Sequence, residues 1–235
     1  MELLVSVTLL SLLSVGMLFA MRVGLNSMSK VHNRVDAARR VLGVARILNQ
    51  QIAGFVPSKG LALTAPDAPP VTIPFFQGDV QTMRFVSTYS LQEAARGYPR
   101  ILEYQVIPGE NGEGVRLIVN EMLYTGPLST GRLSGGMGQD PSTGAPTVLW
   151  RPVVPGPQSF VLADKLAACS FSYKEERPLE QPDMWYPKWP KEFTPAAVRI
   201  DLAPLERDPS RLQLPPIVAP FRVTRHPYSE YRDLE

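Results

Sequence analysis

Cysteine occurs once, at Cys169, which excludes a disulfide within the chain and any multi-cysteine zinc site. Histidine occurs twice, at His32 and His226, too few for a histidine-rich metal centre. Charge is nearly balanced: 24 Lys and Arg against 22 Asp and Glu leave +2, which gives no basis for nucleic-acid binding. Proline is missing from residues 1–56, yet the remainder holds all 24 of them, about a tenth of the whole chain. So many fixed φ angles and missing N–H donors exclude an all-helical bundle and favour short strands joined by rigid loops. With 44% apolar and 20% charged residues over 235 positions, the chain is too apolar for disorder and long enough for one sizeable core.

Leu3 to Met21 holds no charge and no proline. As a helix at ~1.5 Å per residue it spans about 28 Å, close to the ~30 Å hydrocarbon core of a bilayer. Ser6, Thr8, Ser11 and Ser14 can bond back within the helix and do not forbid insertion. A cleavable signal peptide wants a basic start, a shorter apolar run and small residues before the cut. Here no basic residue precedes Arg22, and Leu18-Phe19-Ala20 is a poor cleavage site. The reading is a retained membrane helix.

Charge follows the span. Residues 22–57 carry +5 (Arg22, Lys30, Arg34, Arg39, Arg40 and Arg46 against Asp36), leaving −2 from Ser58 onward. The positive-inside rule then places the body in the cytoplasm, unless a basic leader stands upstream of the chain as given. Glu2 has two readings. It favours the positive helix N-terminus from the headgroup layer, or it pairs with a partner's amino terminus inside an assembly.

Beyond the span, Val31, Val35, Ala38, Leu42, Ala45 and Ile52 recur at heptad steps, with Asn49 breaking the series. Gly54 and Pro57 supply the stop. One helix from Glu2 to Ala53 is predicted, within a segment 1–56: transmembrane over 3–21, then an amphipathic stem over 22–53. The stem's apolar stripe packs against its own body, and its basic face lies near membrane lipid.

From residue 57 to 235 the pattern is that of a β-rich head. Strands are predicted over Met83–Tyr89, Ile101–Ile107 and Val115–Asn120, the last two as a hairpin. A Gly/Ser/Thr/Pro-rich stretch reads as a flexible insertion over about 125–157. A second strand group follows: Ser159–Leu162, Cys169–Lys174, Val198–Leu202 and Ile217–Arg225. The fold class is α+β, a long helix followed by a mostly antiparallel head of two strand groups.

No catalytic constellation is present in the sequence. The glycines of 109–114 and 134–138 lack a strand-to-helix setting and a following Lys-Ser/Thr, so neither makes a phosphate cradle. Cys169 sits in an apolar strand pattern and reads as a buried thiol. Surface positions are expected for His32 and His226. Glu175-Glu176 lacks calcium-loop spacing. Trp185, Tyr186 and Trp189, interleaved with Pro182, Pro187 and Pro190, form either a lid on the core or an exposed contact patch.

Glu2-Leu3-Leu4-Val5-Ser6, opening an apolar helix that continues as a basic stem into a β-rich head, resembles the type IV pilin-like family. Phe76-Gln77-Gly78 ahead of Met83-Arg84-Phe85-Val86-Ser87 resembles the first head strand of the J-type minor pseudopilins of type II secretion. Leu102 to Val106, Leu166 to Tyr173, and Pro195 to Leu202 after the Trp185–Trp189 loop resemble later strands in the same order. Two departures stand out: the leader with its terminal Gly, which prepilin peptidase cuts, and the long insertion. The first is read as a start placed too far downstream, which also repairs the topology.

The resemblance implies a non-enzymatic structural subunit without cofactor or metal. It would sit in the bacterial inner membrane with its head in the periplasm. Glu2 would set the register against neighbouring helices. The partners would be the I-type and K-type minor pseudopilins and the major pseudopilin. A minor pilin of a type IV pilus or competence filament is the neighbouring alternative, and a signal-anchored binding domain acting alone is the alternative from another class.

Overall fold

The structure is a computed structural model that describes residues 2–62, 69–140, 144, 146–177, 182–205 and 215–223, without the side chains of 26, 27 and 29–41. Helix α1 runs unbroken over Glu2–Ala53. It contributes to two compact units, residues 1–43 and 44–235.

The first unit is helix alone. Glu2–Leu25 has a mean hydropathy of 2.3, none of it buried, and is long and apolar enough to cross a membrane. Ser6, Ser11 and Ser14 donate to the carbonyls of Glu2, Val7 and Leu10 at 2.9 Å each, and Thr8 to that of Val5 at 2.8 Å. No hydroxyl on this stretch is therefore left as an unmet donor against lipid.

The second unit adds β1 (Lys59–Ala62), β2 (Val71–Pro74), β3 (Gln77–Gly78), β4 (Thr82–Ser90), β5 (Ala95–Pro108) and β6 (Val115–Leu123). A single helical turn, α2 (Leu128–Gly131), precedes β7 (Ser134–Gln139), β8 (Pro146–Trp150) and β9 (Phe160–Lys174). Then come β10 (Trp185–Tyr186), β11 (Ala197–Pro204) and β12 (Ile217–Pro220). The main sheet has the order β12-β11-β9-β6-β5-β4-β3, with β10 on β9, and β1-β2 and β7-β8 form separate pairs. Every strand pairing among the described residues is antiparallel.

Alternation along the strands decides the two faces. Phe85 opposes Leu102, Met83 opposes Tyr104, and Val198 opposes Tyr173. These side chains form one buried cluster with Val44, Leu48 and Ile52 of α1. A polar staple joins helix to sheet: Tyr104 donates to Gln51 Oε1, and Gln51 Nε2 donates to Glu121 at 3.1 Å. Glu121 also accepts from Ser90 Oγ at 2.8 Å and the Leu91 amide at 2.6 Å. On the opposite face, Val86 and Ile101 pack under Phe75 and Leu133.

Several expectations need correction. The two strand groups are one sheet, because β6 pairs with β9. The segments expected at Ser159–Leu162 and Cys169–Lys174 fall in the single strand β9, which starts at Phe160, since Asp164-Lys165 is absorbed where the register shifts and Lys165 takes φ 52°. The 125–157 segment is not loop throughout: it holds α2 and the β7–β8 hairpin. Its glycines hid that pairing, yet one of them serves it: a Cβ on Gly138 would stand 2.9 Å from Leu149. The last strand ends at Pro220, before Arg225, and 224–225 lie outside the described residues.

The stem seam also differs. Of the seam, Ile52 is fully buried and Ala45 packs against the core, but Leu42 is 69% exposed; Val44 and Leu48, spaced by four with Ile52, enter the core instead. A straight helix packing on a sheet over three turns needs only that i+4 row, not a heptad. The two compact units divide within α1, at 43/44. The side chains of Val31, Val35 and Ala38 lie outside those described.

Candidate assembly helix and contact loop

Glu2 occupies the first turn of α1, with its side chain exposed. No other acid occurs before Asp36. The free N–H groups of the first turn favour a carboxylate there. Within hydrocarbon such a group is costly unless a cation meets it.

The aromatic loop belongs to the other unit. Trp185 and Tyr186 form β10, opposite Lys174 and Tyr173 of β9, and both are half-buried. Trp189 is 7% exposed and part of the main core. Its amide donates to the Gly78 carbonyl at 2.8 Å and its indole N–H to the Phe193 carbonyl at 2.6 Å. Trp189 therefore acts as a plug, while Met184 and Phe193 keep outward surface.

Glu175, next after β9, gathers the loop's polar groups. It accepts from Lys191 Nζ, from the Tyr186 hydroxyl at 2.9 Å and from Arg177 Nε and Nη2 at 3.3 Å. Lys188 reaches Asp140 beyond β7 at 2.7 Å, and Lys174 reaches Asp183 at 2.7 Å. The hydrogen bond from Lys191, then that from Tyr186, hold the Glu175 carboxyl down to about 2, from its ordinary 4.5. A depressed pKa contributes stability above the unfolded value that is lost as pH falls toward the folded one. Tryptophan emission of the full chain is thus expected to report loop loosening between about pH 4.5 and 2, and Glu175→Gln to remove that acid step. An unchanged acid step in Glu175→Gln would show that Glu175 does not carry it.

A buried charge lies on the opposite face of the sheet from α1. Arg84 Nε donates to Glu103 at 2.6 Å, Nη1 to Gln77 and Nη2 to the Arg151 carbonyl at 2.6 Å. The guanidinium carbon stands 5.9 Å from the Trp150 ring centre. A cleft of about 240 Å³ opens beside it, lined also by Thr82, Gln105 and Pro152. Its charge is already matched by Glu103, so the group serves as a cross-layer staple rather than an anion receptor.

Cys169 is buried, and burial, with Asp201 adding, pushes its thiol up to about 12, far from the thiolate a nucleophile needs. The His32 side chain and all of His226 lie outside the described residues. Among the described residues no group of three or more His, Cys, Asp or Glu is placed to hold a metal ion.

Sequence reasoning missed Lys191, Phe193 and Glu175 as members of the aromatic loop's cluster, and Arg84–Glu103 as a buried pair. The usable signal for the first was a lysine and a phenylalanine within four residues of Trp189. For the second it was an arginine inside the apolar run Met83-Arg84-Phe85-Val86. No protein-family model matches the chain, and neither does any curated protein or solved structure.

Proposed function

We propose that the chain is a structural assembly subunit, a minor pseudopilin of a type II secretion pseudopilus. It is held in the inner membrane by α1, with the β-rich unit in the periplasm. One observation carries the reading: a single helix supplies both a wholly exposed apolar span and, in its last turns, core side chains of an antiparallel sheet. Such a helix has two ways to cover its apolar surface, lipid or the helices of neighbouring subunits, and a filament subunit uses both in turn. The head meets the I-type and K-type subunits at the filament tip.

Glu2 sets the stagger by pairing with the terminal amine of an adjacent helix. Glu2→Ala is expected to leave membrane insertion and head folding intact. It is expected to weaken co-isolation with the other subunits by roughly 30-fold, the loss of about 2 kcal/mol for one partner of a buried charge pair. Equal co-isolation and equal secretion would sink the role of Glu2. Mass spectrometry of the natively expressed membrane protein tests the class itself. An N-methylated terminus dependent on prepilin peptidase supports the reading, and an unprocessed chain that remains a monomer in detergent favours a binding domain acting alone.

A further inference from the structure

Lys191 ends in a cage with the composition of a cation site. Its Nζ lies 5.4, 5.8 and 5.3 Å from the ring centres of Tyr186, Trp189 and Phe193, and it donates to Glu175. Aromatic faces attract an ammonium through their quadrupoles, and the carboxylate supplies the opposite charge. The walls hold one another. Trp189 meets Tyr186 at 6.0 Å and 77° and Phe193 at 5.6 Å and 86°, both edge to face. Tyr186 is fixed further by its hydroxyl on Glu175, and Trp189 by its backbone bond to Gly78. None of these wall contacts passes through Lys191.

We infer that Glu175, Tyr186, Trp189 and Phe193 form an alkylammonium-binding site whose occupant is the chain's own Lys191, so that docking of this head latches the 183–193 loop over β9. The ligand class follows from the walls: three apolar faces accept the end of an aliphatic stem, and one carboxylate accepts an N–H of the ammonium. Tethering gives Lys191 an effective concentration on the order of millimolar, so an outside ammonium enters only when Lys191 leaves. The inference is independent of the filament reading.

The test uses the full chain in detergent micelles and backbone amide exchange read by mass spectrometry. Lys191→Ala is expected to speed exchange over 184–193 about tenfold while leaving β5 and β6 unchanged. Adding n-butylammonium restores protection, and n-butanol at the same concentration does not. Lys191→Met, which keeps the volume and removes the charge, gives the same fast loop, and Lys191→Arg stays protected. Unchanged exchange in both Ala and Met variants overturns the inference. So does equal rescue by n-butanol, or acceleration spread evenly into β5 and β6.

Discussion

Arg84→Ala is expected to lower the melting temperature of the β-rich unit by about 6–20 °C, read by near-ultraviolet circular dichroism of the full chain in detergent. Arg84 is 1% exposed, and its removal leaves the buried Glu103 without its cation. Breaking one side of a buried pair costs about 3–5 kcal/mol, because the remaining charge keeps its desolvation penalty and loses its partner. At roughly 2–4 °C per kcal/mol for a unit of this size, the stated shift follows. Gln77 and the Arg151 carbonyl also lose a donor, and the bond to Arg151 is one of the ties between the β7–β8 layer and the sheet. Replacing both charges, as Arg84→Met with Glu103→Leu, should recover most of the loss, since two apolar side chains need no partners. A shift below about 2 °C in Arg84→Ala would show that the pair is not shielded from water in solution.

Leu48→Ala and Leu42→Ala should differ by an order of magnitude in effect, although both are leucines on the same helix. Leu48 is fully enclosed between α1 and the sheet, whereas Leu42 is 69% exposed. Truncating a buried leucine costs about 2–5 kcal/mol, the spread reflecting how far the cavity collapses. Truncating an exposed one changes stability by about 0.5 kcal/mol or less. Thermal melts of the two variants measure this directly. Equal destabilisation would mean that Leu42 is enclosed as Leu48 is, so that the heptad stripe also faces the head.

The contrast between those two leucines marks where reading the chain reaches its limit. Proline exclusion over 1–56 and the stop at Gly54 and Pro57 placed the helix at Glu2–Ala53, where it is found. β-branched and aromatic alternation placed the cores of β4, β5, β6 and β11. Periodicity along α1, however, pointed to one heptad row. The structure buries Ile52 of it and packs Ala45 against the core, but puts Val44 and Leu48 in the core in place of Leu42, because burial depends on what stands opposite. The same holds for Arg84. Alternation puts it on the face away from Phe85, but only the arrival of Trp150 and Arg151, about 65 positions later, encloses it. The β7–β8 hairpin escaped notice because its glycines carry no strand preference, and its pairing rests on backbone bonds and the contact of Gly138 with Leu149.

By itself the sequence determined the apolar span, the unbroken helix and the antiparallel character of the head. Each depends on local composition, on periods of two or near four, or on residue types that are simply scarce. Only the tertiary structure decided that β6 and β9 join the strands into one sheet, that Val44 and Leu48 of α1 enter its core, and that Lys191 sits in an aromatic cage against Glu175. These are contacts between segments distant along the chain, or choices between equivalent faces. Their free energy arises from burying one surface against another, and no single segment carries that information.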